Sequence, residues 1–286
     1  ELDITNNTSV QQFFAQHQFD VCINCAAYTA VDKAEGDDTM AALINVTGVE
    51  YLANACQRAG AVLFHISTDF VFDGSATSPI DVATSVNPIS VYGQTKAEGE
   101  YRALSLNQKT ILIRTSWVYS TFGNNFVKTM IRLGKEKPEL GVVNDQVGCP
   151  TYAKDLAWVI FEFINKLPTI EYGIYHFSNS GVTSWCGFAQ KIMELYGLNC
   201  KVNPITTDQY PTPAKRPKYS VMNCDKTINT LQINIPHWEN ALEECIQLLK
   251  QQEMLEQIDV KKIIAIAEAA GKEIMQIYDT DDFAVT

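Results

Sequence analysis

The sequence predicts an α/β protein with a doubly wound parallel sheet, followed along the chain by a smaller α/β lobe. In the first half, short apolar runs of strand length alternate with longer segments of helical periodicity. The apolar runs are nearly continuous, as expected of parallel strands that are buried on both faces. The 286 residues, of which 46% are hydrophobic and 19% charged, suffice to bury a sizeable core.

Strand and helix signals follow each other closely up to residue 165. The segment over 37–58 has helical periodicity, and Gly60 after it suits the end of a helix. Small residues follow the strand that ends at Cys25, which leaves room for a ligand at that edge of the sheet. The predicted elements of this part are a helix over 9–18, a strand over 19–25, a helix over 37–58, a strand over 61–67, a helix from 91, a strand over 110–119, and helices over 127–135 and 153–165.

The alternation loosens after residue 165, where a proline-rich loop covers 204–217. The remaining predicted elements are a strand over 172–178 and helices over 184–196, 225–231, 238–251 and 260–278. We therefore divide the chain into three parts. They are residues 1–145 with the parallel sheet, residues 146–252 as a smaller lobe partly interleaved with that sheet, and residues 253–286 as a helical extension of foreign appearance.

Composition excludes several classes of function. The net charge of −11 and the isoelectric point near 4.8 argue against nucleic acid and membranes as partners, because both favour a basic surface. No apolar run reaches membrane-spanning length and no signal peptide is evident, so the default location is cytoplasmic. The eight cysteines are predicted to be buried free thiols. Cys22 and Cys25 lie on one strand and the histidines are scattered, so we predict no metal site.

The chemistry of the chain centres on a strand that ends in Thr68 and Asp69, and on the helix that follows it. Tyr92 and Lys96 are four residues apart, so on a helix their side chains share one face. A nearby ammonium stabilises a phenolate and lowers the pKa of the tyrosine, which suits proton transfer. Thr68 could hydrogen-bond the phenol or a substrate carbonyl. The pattern predicts a proton donor aimed at a carbonyl group.

Ser67-Thr68-Asp69 together with Tyr92 and Lys96 resembles the extended short-chain dehydrogenase/reductase superfamily, which implies a Rossmann-like fold and makes residues 1–145 an NAD(P)-binding domain. Longer strings are more specific and resemble the dTDP-4-dehydrorhamnose reductase family over residues 1–252. The strings are NCAAYTAVDKAE over 24–35, RTSWVY over 114–119, GNNF over 123–126, NDQVGCPT over 144–151 and RPKYS over 216–220.

The resemblance implies that NADPH, or NADH, delivers hydride to the C4 ketone of dTDP-4-dehydro-L-rhamnose, a small nucleotide sugar. Tyr92 would protonate the new alkoxide. Lys96 would lower the pKa of Tyr92 and hold the nicotinamide ribose, while Thr68 would contact the sugar. The implied cofactor-binding residues are Asp3, Ile4, Ala26, Ala27, Tyr28, Thr29, Tyr92 and Lys96. The implied substrate-binding residues are Thr68, Asp69, Trp117, Asn125, Gln146 and Arg216.

These residues also have structural interpretations, which stay open at this stage. Tyr92 and Lys96 could be a surface pair on a helix. Trp117 could be a core residue and Arg216 part of a solvated loop. Asn125 could be a turn residue, and the same holds for Gln146.

The glycine-rich turn that binds a pyrophosphate in this superfamily has no counterpart in the sequence. Residues 2–5 read as the end of a strand, so we expect the chain to be truncated, with the first βαβ unit missing. We therefore expect this chain by itself to bind NADPH weakly and to be inactive. A fluorescence titration with NADPH tests this expectation, and micromolar affinity would contradict it.

Residues 254–286 resemble the start of a 3'(2'),5'-bisphosphate nucleotidase. The resemblance includes none of that family's metal-binding motifs, so it implies no activity. A fused or misjoined reading frame is the preferred interpretation. The alternative is an amphipathic extension that packs on the body or on a partner.

Two other functions stay open. One is another nucleotide-sugar epimerase or dehydratase; a dehydratase is expected to carry Thr-Asp-Glu where this chain has Thr68, Asp69 and Phe70. The other is a non-catalytic regulatory subunit similar to that of eukaryotic methionine adenosyltransferase. Oxidation of NADPH by the keto-sugar nucleotide would separate these cases. The sequence also leaves open a homodimer, a requirement for Mg2+ and the choice between NADPH and NADH.

Overall fold

The computed structural model describes residues 2–167, 169–256 and 260–279. Within them the strands are β1 (Val21–Asn24), β2 (Val62–Thr68), β3 (Thr110–Thr115), β4 (Val118–Tyr119), β5 (Glu139–Val143), β6 (Val147–Gly148), β7 (Thr151–Tyr152), β8 (Gly173–His176), β9 (Thr183–Ser184), β10 (Lys201–Ile205) and β11 (Tyr219–Ser220). The helices of the same residues are α1 (Asn7–Gln16), α2 (Val31–Ala34), α3 (Asp38–Ala42), α4 (Gly48–Ala59), α5 (Val91–Leu106), α6 (Phe126–Glu136), α7 (Ala153–Asn165), α8 (Trp185–Tyr196), α9 (Asp225–Leu231), α10 (Trp238–Glu256) and α11 (Val260–Asp279).

A parallel sheet in the order β1, β2, β3, β8 forms the centre of the molecule. Leu63 on β2 packs against α4 and α5, whereas the next residue, Phe64, packs against α7 on the opposite face. Helices therefore cover both faces, which confirms the predicted doubly wound α/β fold. Thr68 pairs with Thr115 in the register of β2 and β3, so these two strands end at the same edge.

The smaller lobe has its own core, in which α6, α8 and α10 pack around Phe188 and Leu242. The parallel pair β5 and β10 lies beside these helices. Sequence patterns predict a loop from residue 204, but β10 continues through Pro204. Since β10 pairs on one side with β5, Pro204 lies on an edge strand, where the missing N–H of proline is tolerated.

Two predicted elements are interrupted. The helix predicted over 37–58 consists of α3, a π-helical turn (Leu43–Thr47) and α4, which ends as predicted at Gly60 in the left-handed conformation. The strand predicted over 110–119 breaks at Trp117, whose φ is +49°. Both π-helical turns and left-handed non-glycine residues are frequent at functional sites.

The proposed boundary at residue 145 stays a prediction. β5 precedes it and pairs with β10, which follows it, while β8 also follows it and belongs to the main sheet. Of the predicted extension, α10 continues to Glu256 and α11 covers Val260–Asp279. Residues 257–259 and 280–286 lie outside the described part of the chain. None of the described helices is both long and apolar enough to cross a membrane.

Candidate active site

Helix α5 brings Tyr92 and Lys96 to the carboxyl edge of the sheet. Ser90 caps this helix, since its hydroxyl accepts a hydrogen bond from the Gly93 N–H at 3.1 Å. The helix lies very close to the chain that follows β2. A Cβ placed on Gly93 would be 2.2 Å from the carbonyl oxygen of Phe70. The position of α5 therefore requires glycine at residue 93.

Tyr92 is almost completely buried, and the ring of Phe70 meets its ring edge-on at a centroid distance of 5.4 Å. Burial raises the pKa of Tyr92 to about 12; a hydrogen bond with the Thr68 side chain lowers this pKa and the Asp69 charge raises it. The direction is opposite to the lowering by Lys96 that the spacing predicts, because burial outweighs the other influences on the phenol. Tyr92 therefore keeps its proton at neutral pH.

Lys96 is buried and donates a hydrogen bond from Nζ to the carbonyl oxygen of Ile66 at 2.6 Å. Burial lowers the pKa of Lys96 to about 8, while the nearby Glu100 side chain opposes this shift. An ammonium has three N–H groups, so two remain for a ligand at this edge. Lys96 is thus placed as a donor beside Tyr92.

The Lys96 titration predicts that activity and stability respond in opposite ways to alkaline pH. The folded pKa of about 8 is below the ordinary 10.5, so between these values the unfolded chain binds more protons and the contribution of Lys96 to the unfolding free energy rises with pH. The ammonium is lost over the same window, so we expect kcat/KM to fall above about pH 8.

A pH–rate profile and denaturant unfolding at several pH values measure the two effects. Lys96→Met removes the titrating group and is the control, because it should lose the alkaline rise in stability. A flat wild-type rate profile across this window would contradict the prediction.

The loop after β1 holds four of the sequence-predicted cofactor residues, Ala26, Ala27, Tyr28 and Thr29, and it is tied to α5 by Asn45. The Asn45 side chain accepts a hydrogen bond from the Tyr28 N–H at 2.8 Å and donates to the Tyr28 carbonyl and to the Thr95 hydroxyl. Asn45 is buried in the π-helical turn. It was not predicted, although an asparagine inside an apolar helical segment was a usable signal.

Two more of the predicted cofactor residues, Asp3 and Ile4, lie in the turn before α1. Asp3 accepts hydrogen bonds from the N–H and the hydroxyl of Thr5, both of which lower the pKa of its carboxyl group. Ile4 packs so closely on α4 that a Cβ on Gly48 would lie 2.8 Å from its side chain. These contacts are structural, and the role of both residues at an adenine stays a prediction.

Asp69 is buried at the end of β2 and connects the site to the smaller lobe. Its Oδ1 accepts a hydrogen bond from the Thr68 hydroxyl at 3.1 Å. Burial raises the pKa of Asp69 to about 6, and hydrogen bonds with Ser220 and Thr68 oppose the shift. Among the described residues its Oδ2 has no partner. Asp69 thus orients the Thr68 hydroxyl beside Tyr92.

Trp117 lies just beyond β3 and stacks on Trp185, with ring centroids 3.8 Å apart and planes 12° from parallel. Its φ of +49° is a strained conformation for a residue with a side chain. A Cβ on Gly148 would lie 2.8 Å from the Trp117 ring. The stack and Gly148 together hold the indole in one position at this edge.

Trp185→Leu is expected to unfold more easily than Trp185→Phe by about 0.5–1.5 kcal/mol, because leucine keeps apolar bulk but cannot stack. Leucine should also abolish the near-ultraviolet circular dichroism of the stacked indoles. Denaturant unfolding and circular dichroism measure these effects. Equal unfolding free energies of the two variants would show that stacking on residue 185 does not stabilise the protein.

A cavity of about 570 Å³ adjoins the Trp185 ring and contains Gln146 and Arg216, two of the predicted substrate residues. Other side chains that line it come from α6, from β5 and from the proline-rich loop. Asn125 is instead the N-cap of α6: its Oδ1 accepts from the Lys128 N–H and its Nδ2 donates to the Ser120 carbonyl. Its predicted contact with substrate stays a prediction.

Arg216 does not project freely into this cavity, because it is paired with Asp32 from α2. Its Nη2 and Nη1 donate to the two carboxylate oxygens of Asp32 at 2.6 and 3.0 Å. The hydrogen bond from Arg216 lowers the pKa of Asp32. The pair joins the proline-rich loop to the segment after β1, a contact that sequence patterns did not predict.

Comparison with known proteins identifies close relatives of this chain. The RmlD substrate binding domain family matches residues 1–251. A dTDP-4-dehydrorhamnose reductase from Aggregatibacter actinomycetemcomitans is 44% identical over 255 residues, which cover 85% of this chain and 86% of the relative. A solved dTDP-4-dehydrorhamnose reductase from Clostridium acetobutylicum is 47% identical with a TM-score of 0.84, over 87% of this chain and 88% of that one.

Two more solved structures bear on the alternatives. A dTDP-4-dehydrorhamnose reductase from Bacillus anthracis in complex with NADP is 43% identical with a TM-score of 0.82, over 85% of this chain and 86% of that one. A Thermus thermophilus UDP-glucose 4-epimerase in complex with NAD is 19% identical with a TM-score of 0.72, over 87% of this chain and 83% of that one. The epimerase shares the fold alone.

Proposed function

Since the chain belongs to the RmlD substrate binding domain family, we propose that it is a dTDP-4-dehydrorhamnose reductase, an oxidoreductase that uses NADPH to form dTDP-L-rhamnose. The observation that carries the proposal is the carboxyl edge of the sheet. There Thr68, Tyr92 and Lys96 come together as a hydroxyl, a protonated phenol and an ammonium. Such a set protonates an oxygen that gains negative charge during ketone reduction.

The residues of this edge fit the nicotinamide end of a dinucleotide. Cys25 and Ala26 leave the end of β1 exposed, and Lys96 has two N–H groups free of the Ile66 carbonyl for ribose hydroxyls. When bound, NADPH supplies the hydride. The protein positions the ketone and supplies the proton.

Tyr92 is the proton donor in this proposal. With a pKa of about 12 its phenol is protonated at neutral pH, so it can give its proton to the C4 oxygen but is a poor base. The Thr68 side chain lowers the pKa of Tyr92, and its hydroxyl donates to Asp69 Oδ1, which fixes its direction. Lys96 stabilises the phenolate that remains after transfer.

The nucleotide part of the substrate occupies the cavity beside Trp185. Apolar side chains of α6 form one wall, and Gln146 and Arg216 supply polar groups. The guanidinium of Arg216 suits a diphosphate, and its ion pair with Asp32 sets its orientation before the ligand binds.

The test combines binding with turnover in the full chain. Calorimetry with dTDP-L-rhamnose reports the substrate half of the site, with UDP-glucose as the control nucleotide sugar. Loss of NADPH absorbance in the presence of dTDP-4-dehydro-L-rhamnose reports reduction at saturating NADPH. Selective binding of dTDP-L-rhamnose is expected, and turnover at saturating NADPH would carry the proposed function and contradict the expectation of an inactive chain. Preference for UDP-glucose would favour an epimerase, and binding without any turnover at saturating NADPH would favour a regulatory role.

This function implies a cytoplasmic enzyme, because both the nucleotide sugar and NADPH are found there, and no nucleic-acid or membrane partner. The resemblance leaves open a homodimer and a requirement for Mg2+. Sedimentation tests for a homodimer, and turnover with and without Mg2+ tests for a metal requirement.

A further inference from the structure

A buried carboxylate that the proposed mechanism does not use lies one helical turn beyond Lys96. Tyr92, Lys96 and Glu100 are spaced by four residues on α5 and so share one face of the helix. Glu100 is 4% exposed and Lys96 is 2% exposed. Burial of an ionised carboxylate is costly unless charged partners and hydrogen bonds compensate for the lost water.

Glu100 is held on both of its oxygens. Oε1 accepts hydrogen bonds from the Ser67 hydroxyl and from Arg114 Nε, the latter at 2.9 Å, and Oε2 accepts from Arg114 Nη2 at 2.6 Å. Ser67 and Arg114 are register partners on β2 and β3. The carboxylate is therefore fixed against the centre of the sheet and forms a rigid negative charge near Lys96.

The groups that face Lys96 come from three elements. They are Tyr92 and Glu100 from α5, His65 from β2 and Cys25 from the loop after β1. Burial lowers the pKa of His65 well below its ordinary value, so its ring is neutral. Burial raises the pKa of Cys25, so its thiol is uncharged. Among these groups Glu100, which is paired with Arg114, is therefore the carboxylate that faces the Lys96 ammonium.

We propose that Glu100 is a positioning residue of the active site, which keeps Lys96 charged and held at the Ile66 carbonyl. The proposal rests on the proposed function for its consequence in catalysis. Without an anion nearby, a buried ammonium tends to lose its proton or to move toward water. Either change would remove the donor that lies beside Tyr92.

The competing explanation is that Glu100 serves only as the partner of Arg114. Arg114 is buried, and among the described residues its Nη1 already lacks a hydrogen-bond partner. Glu100→Gln would leave this guanidinium uncompensated, so the variant could unfold for that reason alone. The double variant Glu100→Gln/Arg114→Met removes both charges together and so separates the two explanations.

The experiment measures the titration of Lys96 directly, by NMR of protein labelled at the lysine ε-carbons, with Lys96→Arg to assign the signal. This readout needs neither cofactor nor turnover, so it stays informative if the proposed function is wrong. The proteins compared are the wild type, the double variant, Arg114→Met and Ser67→Ala. A pH–rate profile of each variant follows.

In the double variant we expect the midpoint of the Lys96 titration to fall by about half a pH unit or more. At a given pH this lowers the ratio of ammonium to amine by about threefold. The alkaline limb of kcat/KM should move by the same amount. Arg114→Met, which leaves the carboxylate uncompensated, should raise the midpoint. Ser67→Ala, which keeps both charges, should leave it unchanged. A wild-type midpoint in the double variant or in Arg114→Met would overturn the proposal.

Discussion

Tyr92→Phe is expected to lower kcat for reduction of dTDP-4-dehydro-L-rhamnose by about 10²–10⁴, the usual contribution of a positioned general acid. The substitution removes one oxygen and keeps the ring that packs edge-on against Phe70. Affinity for dTDP-L-rhamnose and the free energy of unfolding should therefore change little. Single-turnover kinetics at saturating NADPH measure the loss of rate, and calorimetry of product binding measures the affinity separately.

The matched control is Tyr101→Phe, which removes another tyrosine hydroxyl from the same helix. Tyr101 is exposed and is not among the predicted site residues. We expect near-normal kcat in this control. If Tyr92→Phe retained more than about a tenth of wild-type kcat, Tyr92 would not be the proton donor.

Gly93→Ala is expected to displace the first turn of α5 and with it Tyr92. The new Cβ would lie 2.2 Å from the Phe70 carbonyl oxygen, which is backbone and cannot move aside as a flexible side chain would. Overpacking of this kind typically costs about 1–3 kcal/mol of unfolding free energy. A displacement of about 1 Å in a catalytic group can cost about 10²-fold in rate. Denaturant unfolding and kcat measure the two effects.

Two further substitutions calibrate this result. Gly99→Ala places a Cβ 2.1 Å from the Asn45 carbonyl oxygen, so it should destabilise by a similar amount through the same helix. Gly271→Ala on α11 meets no heavy atom within 4 Å, so the better helix propensity of alanine should leave stability unchanged or slightly raised. If Gly93→Ala left the unfolding free energy unchanged, as Gly271→Ala is expected to, the close approach of α5 to the Phe70 carbonyl would not require glycine.

The fold was predictable because its signals are local and repeat along the chain. Helix α7 and helix α9 have the predicted bounds, and Gly60 ends α4 as predicted. β5 was missed because its five residues form neither a continuous apolar run nor a clean alternation. β10 was missed because Pro204 argues against a central strand, in which every backbone N–H is needed for pairing. β10 is instead an edge strand, where proline is tolerated.

The candidate site was predictable only in part. The spacing of Tyr92 and Lys96 places them on one helical face, and Thr68 lies beside the phenol. The partners of these residues were not predictable, because they are distant in sequence. Asp32 and Arg216 are 184 residues apart, and Ser67 and Glu100 are 33 residues apart. Pattern reasoning has no means to pair such residues.

By itself the sequence determined most of the order of strands and helices, the face shared by Tyr92 and Lys96, and the family, since spacing and motifs are properties of neighbouring residues. Only the tertiary structure decided the state of those groups. Burial raises the pKa of Tyr92 and lowers the pKa of Lys96. For the phenol this is the opposite of the shift that a neighbouring ammonium would cause on an exposed helix. Burial depends on what the rest of the chain packs over a residue, and no local pattern contains that information.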